Sequence, residues 1–291
     1  MARDANTANG YPGAIVARIG AALLQQLHAQ RRPWLVGLSG LQGSGKSTLA
    51  AQLSAALTQQ GIATLAMSLD DFYFGRRERR RLARTVHPLL VTRGVPGTHD
   101  LMLLNRTIDD LQRASRQRPA LVPRFDKGRD TRMPPARWRR IAQAPRLILL
   151  EGWCVGVPAQ TPAQLQRPCN ALERDEDRNG IWRRYVNAQL AADYAELWRR
   201  LDALVLLQAP RIDVVWRWRD EQEQALRRAH APQAMTPAVL RRFIMHYERI
   251  SRQALRELPM RADIRLLLDG NRRARIAPAA ANRSAVTRAR N

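Results

Sequence analysis

One run of residues has the order that a phosphate-binding loop requires: Gly40, Leu41, Gln42, Gly43, Ser44, Gly45, Lys46, Ser47 and Thr48. Glycines let a backbone curl until its N–H groups converge on phosphate oxygens at the positive end of a following helix. The lysine can then reach β- and γ-phosphate oxygens, and Ser47 can ligate Mg²⁺. The alternative is a structural glycine turn, but an apolar run precedes this segment and a helical pattern follows it. We therefore predict that residues 40–48 bind a nucleotide.

Two adjacent carboxylates, Asp70 and Asp71, stand at the end of the next predicted strand in the run SLDDFY, residues 68–73. The carboxyl ends of parallel strands face the ligand crevice of an α/β sheet. Neighbouring side chains point in different directions there, so we expect the two groups to have different roles. One of them could accept the proton of an attacking hydroxyl. The alternative is that the pair caps the following segment.

A third acidic residue, Glu151, ends the apolar run LLEGW, residues 149–153. Enzymes with a phosphate-binding loop keep a second carboxylate for Mg²⁺ and water at such a strand end. A cap or an ion pair is the alternative for a single glutamate. The predicted metal ligands are Ser47, Asp70 and Glu151, with Mg²⁺ as the ion and ATP as the nucleotide.

The elements that must position these residues begin with an apolar strand over 34–39, a helix over 46–60 and a strand over 62–69, which form a βαβ unit. Further strands are predicted at 146–150, 203–207 and 264–268. Helices are predicted at 14–31, 100–114, 181–200, 211–230 and 236–258, with loop and short helix over 72–98. This pattern predicts an α/β chain with the three-layer P-loop NTPase fold, a mainly parallel sheet and a small helical lid.

The predicted domain organisation has three parts. Residues 1–33 form an N-terminal helix packed on the core, and residues 34–271 form the nucleotide-binding domain. Residues 272–291 carry arginine, alanine and serine without periodicity, which favours a basic, flexible tail.

The formal net charge of +24 raises the question of nucleic-acid binding. Of 49 lysine and arginine residues, only Lys46 and Lys127 are lysine, so the charge looks like a general preference for arginine. The arginines are spread along the chain, which disfavours a nucleic-acid partner. They would nevertheless attract anionic small molecules. Where arginine has replaced lysine almost everywhere, the two lysines are expected at places where a guanidinium cannot serve.

No segment approaches the roughly 18 apolar residues that a membrane-spanning helix needs, so no membrane partner is expected. The polar N-terminus shows no secretory signal pattern. Cys154 and Cys169 are too few for a disulfide framework. These features predict a soluble, cytoplasmic protein, and they leave its oligomeric state open.

Six motifs together resemble a known family. SGLQGSGKST, SLDDFY, RGVPGTHD (93–100), VPRFDKG (122–128), LLEGW and WRWRDEQE (216–223) follow the order seen in D-glycerate 3-kinases of the plant and fungal type. That family belongs to the wider group of uridine kinases, pantothenate kinases and phosphoribulokinases. The resemblance covers residues 34–270.

The resemblance implies residue roles. Asp70 would be the catalytic base, and Lys46, Glu151 and Arg219 would complete the catalytic set, with Arg219 closing over the phosphates from a mobile lid. The resemblance also implies that His99, Asp100, Asp126 and Lys127 line the acceptor site, and we predict Asp71, Tyr73, Arg93 and Arg132 there as well. Arg93, Lys127 and Arg132 are candidates for binding an acceptor carboxylate. Two structural alternatives stay open: Arg219 could pair with Glu223 along its helix, and His99 could cap the helix that begins near Asp100.

The expected reaction is transfer of the γ-phosphoryl group of ATP to D-glycerate, giving 3-phosphoglycerate. The sequence departs from the family pattern over residues 127–132, where a glycine-rich stretch is shortened, and Phe125 replaces a usual tyrosine. A histidine common in relatives is absent near Asp269. The alternatives are therefore a kinase of the same group with another acceptor, a nucleotide-dependent nucleic-acid-binding protein, and a non-catalytic relative.

Overall fold

The computed structural model describes residues 10–26, 32–231 and 234–278. Its strands are β1 (Trp34–Gly40), β2 (Thr64–Ser68), β3 (Ala120–Val122), β4 (Phe125–Asp126), β5 (Thr131–Arg132), β6 (Arg139–Ile141), β7 (Leu147–Gly152), β8 (Ala203–Gln208), β9 (Ile264–Leu268) and β10 (Ala274–Ile276). Six of them form the central sheet in the order β10-β9-β8-β1-β7-β2, and two small hairpins pair β3 with β6 and β4 with β5. The central strands are parallel except for β10, which runs antiparallel to β9.

The helices are α1 (Gly13–Gln26), α2 (Lys46–Gln59), α3 (Arg76–Thr85), α4 (Leu101–Gln112), α5 (Pro162–Leu165), α6 (Ala171–Glu176), α7 (Ile181–Gln189), α8 (Ala195–Arg199), α9 (Val214–Arg228) and α10 (Pro237–Arg261). Short 3₁₀ turns occupy Leu69–Phe72, Pro88–Val91 and Pro135–Arg137. Within the described residues, no helix is both long enough and apolar enough to cross a membrane.

The core surrounds β1 and β7. Every residue of both strands is buried, and successive strand residues face opposite sides of a sheet, so layers must cover both faces. Helix α2 packs over β2 and β7, helix α10 packs against β8, and α1 packs on α2. This confirms the predicted α/β fold with a mainly parallel sheet, and it brings the carboxyl ends of β1, β2, β7 and β8 to one edge.

All five predicted strands are present, with small differences. Strand β2 is shorter than expected because the Ser68 hydroxyl accepts a hydrogen bond from the Asp70 N–H and starts a 3₁₀ turn. The helix predicted over 181–200 is interrupted by a π turn at Leu190–Tyr194, where Ala192 has non-helical backbone angles.

Two chain ends differ from the sequence expectation. Helix α1 ends at Gln26, and residues 27–31 of the predicted helix lie outside the described residues. At the other end, Ala274–Ile276 form β10 on the edge of the sheet, although the sequence places them in an irregular tail. Leu266 and Leu268 of β9 are buried and alternate with half-buried neighbours, and they pair with Ile276 and Ala274 in a contact that a local pattern does not reveal. Residues 279–291 of the predicted tail lie outside the described part of the chain.

Candidate active site

The loop between β1 and α2 has the backbone shape of a phosphate cradle. Gly43 and Gly45 adopt positive φ angles of 77° and 87°, a region that side-chain-bearing residues rarely occupy. A Cβ atom on Gly43 would lie 2.7 Å from the Trp218 Cβ, so helix α9 packs directly on the loop. Helix α2 begins at Lys46 immediately after the loop, so its unpaired N–H groups and its positive dipole end face the same space. This geometry fits a polyphosphate.

Lys46 and Ser47 occupy the positions expected of a phosphate lysine and a metal-binding hydroxyl. The Lys46 ammonium donates to the Leu41 carbonyl oxygen of its own loop at 3.2 Å. Burial lowers the pKa of Lys46, while the charges of Glu151 and Asp70 oppose that effect. The Ser47 hydroxyl donates to Glu151 Oε1 at 2.8 Å, which joins the start of α2 to the end of β7.

A hydroxyl and a carboxylate oxygen are the ligands that Mg²⁺ takes when phosphates and waters complete its shell. Ser47 is exposed and Glu151 is buried, so the pair is reached from solvent on the Ser47 side. The described residues contain no cluster of three or more His, Cys, Asp or Glu that would form an all-protein metal cage. The donor set therefore fits a metal ion that arrives with a nucleotide.

Asp70 lies on the 3₁₀ turn after β2 with both carboxylate oxygens engaged. Tyr73 donates its hydroxyl proton to Oδ1 at 2.6 Å, and the Lys127 ammonium donates to Oδ2 at 2.6 Å. Burial by itself would raise the pKa of Asp70, but the charge and hydrogen bond of Lys127, with the Tyr73 hydrogen bond, lower it below its usual range. Asp70 is thus held as an anion. Each carboxylate oxygen keeps a further lone pair for another donor.

Asp71 and Asp70 have different hydrogen-bond partners. Its Oδ1 accepts the Phe125 N–H at 3.0 Å, which ties the 3₁₀ turn to β4. Burial and the neighbouring Asp70 raise the pKa of Asp71, and the Phe125 N–H lowers it. The alternative that the carboxylate pair caps this segment is wrong, because Ser68 is the capping residue. Asp71 thus holds the backbone of β4 against the 3₁₀ turn, and its predicted contact with an acceptor stays a prediction.

Asp126 organises the turn that carries Lys127. Its Oδ1 accepts the N–H groups of Gly128 and Arg129, both at 3.0 Å. This turn closes the β4–β5 hairpin and presents the Lys127 ammonium to Asp70. The structure therefore places Asp126 behind Lys127 as a turn-forming residue.

His99 is buried beside Tyr73, with ring centroids 4.7 Å apart. Its Nδ1 lies 2.6 Å from the Tyr194 hydroxyl, which also accepts the Gly97 N–H at 3.1 Å. The Tyr194 oxygen accepts the Gly97 N–H, and when Tyr194 donates its own proton to His99 Nδ1, the imidazole proton lies on Nε2. Burial lowers the pKa of His99 to about 4, so the ring is neutral. The Nε2 atom is buried and has no hydrogen-bond partner among the described residues.

Asp100 and Arg132 form an ion pair beside Tyr73. The Asp100 carboxylate caps α4 by accepting the Leu103 N–H at 3.0 Å, so the suggestion that His99 caps this helix is wrong. Arg132 donates to Asp100 Oδ2 at 3.1 Å and to the Tyr73 carbonyl oxygen at 3.2 Å. The Arg132 Nε atom is buried and, within the described residues, unpaired.

The shortened loop at residues 127–132 is ordered by one carboxylate that the sequence did not single out. Asp130 adopts a positive φ of 53° and accepts hydrogen bonds from three arginines. Arg76 and Arg79 reach its Oδ2 at 3.2 and 2.6 Å, and Arg93 donates to its Oδ1. Arg93 also lies over the Phe125 ring at 5.7 Å. Arg93 is therefore already partnered by Asp130, which lies inside the segment that departs from the family pattern, and its predicted contact with an acceptor carboxylate stays a prediction.

Arg219 lies on α9, one residue after the Trp218 that packs on Gly43. Its guanidinium donates to Glu223 at 2.8 Å and to Gln222 at 2.7 Å, which is the along-helix pairing considered as an alternative. The Arg219 Nε atom is buried and lacks a partner among the residues that the structure describes. Closure of Arg219 over the phosphates stays a prediction.

A cavity of about 450 Å³ opens beside α9, and sequence reasoning did not locate it. It is lined by Pro210, Arg211, Asp213, Val214, Arg217 and Gly270. The Trp218 indole donates to the Gly270 carbonyl oxygen at 2.9 Å and links this cavity to the phosphate cradle. The sequence indicated this cavity only in part. Arg217 lies in the run WRWRDEQE, but Gly270 follows a different strand, and no local pattern shows that the two residues line one cavity.

The site combines a glycine cradle, with its lysine and serine, and two carboxylates at one edge of a mainly parallel sheet. This combination is that of an ATP-dependent P-loop kinase. Known proteins agree with this class. An uncharacterized kinase of Schizosaccharomyces pombe, mug58, is 34% identical over 241 residues, which cover 80% of the chain and 85% of that protein. The chain therefore belongs to the kinase family related to D-glycerate 3-kinase.

The chloroplastic D-glycerate 3-kinase of Arabidopsis thaliana is 29% identical over 203 residues, covering 67% of the chain and 42% of that protein. Among solved structures, a D-glycerate 3-kinase from Cryptococcus neoformans var. grubii has a TM-score of 0.75 at 24% identity, covering 91% of the chain and 100% of that structure. That likeness supports the fold. No family model matches the sequence.

Proposed function

We propose that this kinase transfers the γ-phosphoryl group of ATP to a hydroxyl of D-glycerate, giving 3-phosphoglycerate. The observation that carries the proposal is the position of Asp70. Asp70 interacts electrostatically with Lys46 of the phosphate cradle, and it is hydrogen-bonded to Tyr73 and Lys127, whose side of the site carries cationic and N–H groups that suit a small anion. In this proposal the acceptor enters on the side of Tyr73 and Lys127.

The acceptor pocket contains donors that protein groups leave unused. His99 Nε2 and Arg132 Nε are both buried without partners among the described residues, and both belong to side chains that contact Tyr73. Leaving a buried donor unpaired costs about 1–3 kcal/mol, so such sites favour a ligand that brings oxygen acceptors. A hydroxy acid supplies several oxygens in a small volume, which supports glycerate over an apolar acceptor.

The chemistry assigned to the chain begins with Asp70. Its anionic carboxylate accepts the proton of the acceptor hydroxyl as the oxygen attacks the γ-phosphorus. The new O–P bond forms while the bond from the γ-phosphorus to the β,γ-bridging oxygen breaks, and ADP leaves. Lys46 and the loop N–H groups offset the negative charge that grows on the phosphoryl oxygens. Arg219 would add to this stabilisation if it exchanged its Glu223 contact for a phosphate.

Ser47 and Glu151 are the residues that would hold Mg²⁺, and Asp70 is the third predicted ligand. A bound ion would supply positive charge that offsets the negative charge of the phosphate oxygens during transfer. We assign the nucleobase to the cavity beside α9, because its volume of about 450 Å³ falls within the range of roughly 300–1,000 Å³ typical of small-molecule sites. A cytoplasmic location stays a prediction.

The test is an ADP-release assay with purified protein, MgATP and separate acceptors: D-glycerate, L-glycerate, uridine and pantothenate. We expect turnover with D-glycerate, with 3-phosphoglycerate identified by ³¹P and ¹³C NMR of the product. Turnover with uridine or pantothenate and none with glycerate would support the alternative of another small-molecule kinase in the same group.

A further inference from the structure

The segment just before α1 is fastened to the phosphate cradle by Tyr11. This buried side chain donates its hydroxyl proton to the Ser44 carbonyl oxygen at 2.5 Å. The side-chain amide of Gln52 on α2 binds both backbone groups of Tyr11. The Tyr11 N–H donates to Gln52 Oε1 at 2.8 Å, and Gln52 Nε2 donates to the Tyr11 carbonyl oxygen at 2.9 Å. Gly10 permits this approach, since a Cβ there would lie 2.7 Å from Gln52 Nε2.

The contact controls the orientation of a peptide group inside the cradle. The described residues contain no cis peptide bond, and in a planar trans peptide the carbonyl and the following N–H point in opposite directions. When Tyr11 holds the Ser44 carbonyl on its own side, the Gly45 N–H must face the other side. A Cβ on Gly45 would lie 2.8 Å from the Tyr11 hydroxyl oxygen, so the contact also depends on a glycine at that position.

We infer that Tyr11 is a positioning residue for nucleotide binding, acting by fixing the Ser44–Gly45 peptide so that the loop N–H groups face the phosphates. Tyr11 lies outside every motif of the cradle, 33 residues before Ser44. The inference rests on the proposed binding of ATP at this loop. It predicts an effect on the nucleotide and none on the acceptor.

The Tyr11 hydroxyl remains a donor throughout the working pH range. Burial raises the pKa of Tyr11, and the charge of Arg272 only partly opposes that increase. The strength of the contact should therefore not depend on pH near neutrality, which separates its effect from that of a titrating catalytic group.

The experiment compares MgADP binding by calorimetry in the wild-type chain and in Tyr11→Phe, which keeps the ring and removes the hydroxyl. Loss of one buried hydrogen bond should weaken binding about 3- to 10-fold. The KM for MgATP should rise by a similar factor with the KM for the acceptor unchanged. The matched control is Tyr185→Phe, whose hydroxyl has no hydrogen-bond partner in the described part of the chain and which should bind MgADP like the wild type.

A second variant, Gln52→Ala, tests the same path. Because Gln52 acts through Tyr11, its removal should weaken MgADP binding in the wild-type background and add little in the Tyr11→Phe background. If the wild type binds MgADP and Tyr11→Phe binds it equally well, this inference is overturned and the proposed nucleotide site is not, even if the unfolding temperature of the variant falls. Additive effects in the double variant would also overturn it. Absence of MgADP binding by the wild type would overturn the nucleotide site itself.

Discussion

Replacing Asp70 with asparagine should separate phosphoryl transfer from nucleotide binding. Asparagine keeps the size of the side chain, and its amide oxygen can still accept the Tyr73 hydroxyl, which lies 2.6 Å from Asp70 Oδ1. The variant loses the anion that accepts the acceptor proton. It also places an amide group, which cannot offset charge, opposite the Lys127 ammonium at Oδ2.

The magnitudes favour a catalytic defect over a folding defect. A positioned general base contributes about 10²- to 10⁴-fold to a rate, which corresponds to roughly 2.7–5.5 kcal/mol of barrier. The Lys127 side chain is 61% exposed in its pair with Asp70, so loss of that pair should cost at most about 1 kcal/mol of stability. Nucleotide affinity should change little, because the substitution leaves Lys46 and the N–H groups at the start of α2 in place.

The assay is kcat from coupled ADP release, with MgADP binding by calorimetry on the same preparations. We expect kcat for Asp70→Asn to fall at least 100-fold while the MgADP dissociation constant stays within about 3-fold. Asp175→Asn is the control, since Asp175 pairs only with its exposed neighbour Arg174 among the described contacts. An Asp70→Asn kcat within tenfold of the wild type would remove Asp70 from the mechanism.

Three further substitutions test the surrounding groups. Lys127→Gln removes the charge that keeps the pKa of Asp70 low, so the acid limb of the kcat/KM profile should move to higher pH, because the base must be deprotonated to act; an unmoved limb would contradict this assignment. Glu151→Gln should raise the Mg²⁺ concentration needed for half-maximal activity about tenfold or more, measured by metal titration, whereas an unchanged titration would exclude Glu151 as a ligand. Tyr194→Phe should raise the KM for the acceptor about 3- to 10-fold and leave the KM for MgATP constant, because His99 loses its hydrogen-bond partner at Nδ1. Equal changes in both KM values would contradict this and indicate a general loss of structure in the site.

The parts of the site that could be predicted from sequence are those encoded within a few residues. The cradle follows from the spacing of glycines between a strand and a helix. The structure shows Gly43 and Gly45 with positive φ angles, a conformation that glycine adopts readily. The positions of Asp70 and Glu151 follow from strand ends in a parallel sheet, and their strands pair directly, with Ser68 opposite Glu151. Local pattern and sheet topology are sufficient for these residues.

Contacts between distant segments could not be predicted in the same way. Lys127 reaches Asp70 across 57 residues, and Arg79 reaches Asp130 across 51. Both contacts depend on the position of the β4–β5 hairpin in the fold. Residues 125–132 have too little periodicity to predict that hairpin. The contact of Tyr11 is still harder to predict, because a single tyrosine in a polar N-terminal segment has no local feature that indicates its contact with the cradle.

The two lysines show how composition can carry information that periodicity does not. Both belong to one electrostatic cluster with Asp70, although they come from the cradle and from the β4–β5 turn. A guanidinium at position 127 would present a fork that matches both oxygens of a carboxylate. It would then compete with Tyr73 for Oδ1 and cover the lone pairs that an acceptor hydroxyl needs. A lysine ammonium occupies one oxygen and leaves the other to Tyr73, so a chain that uses arginine almost everywhere has a physical reason to retain lysine here.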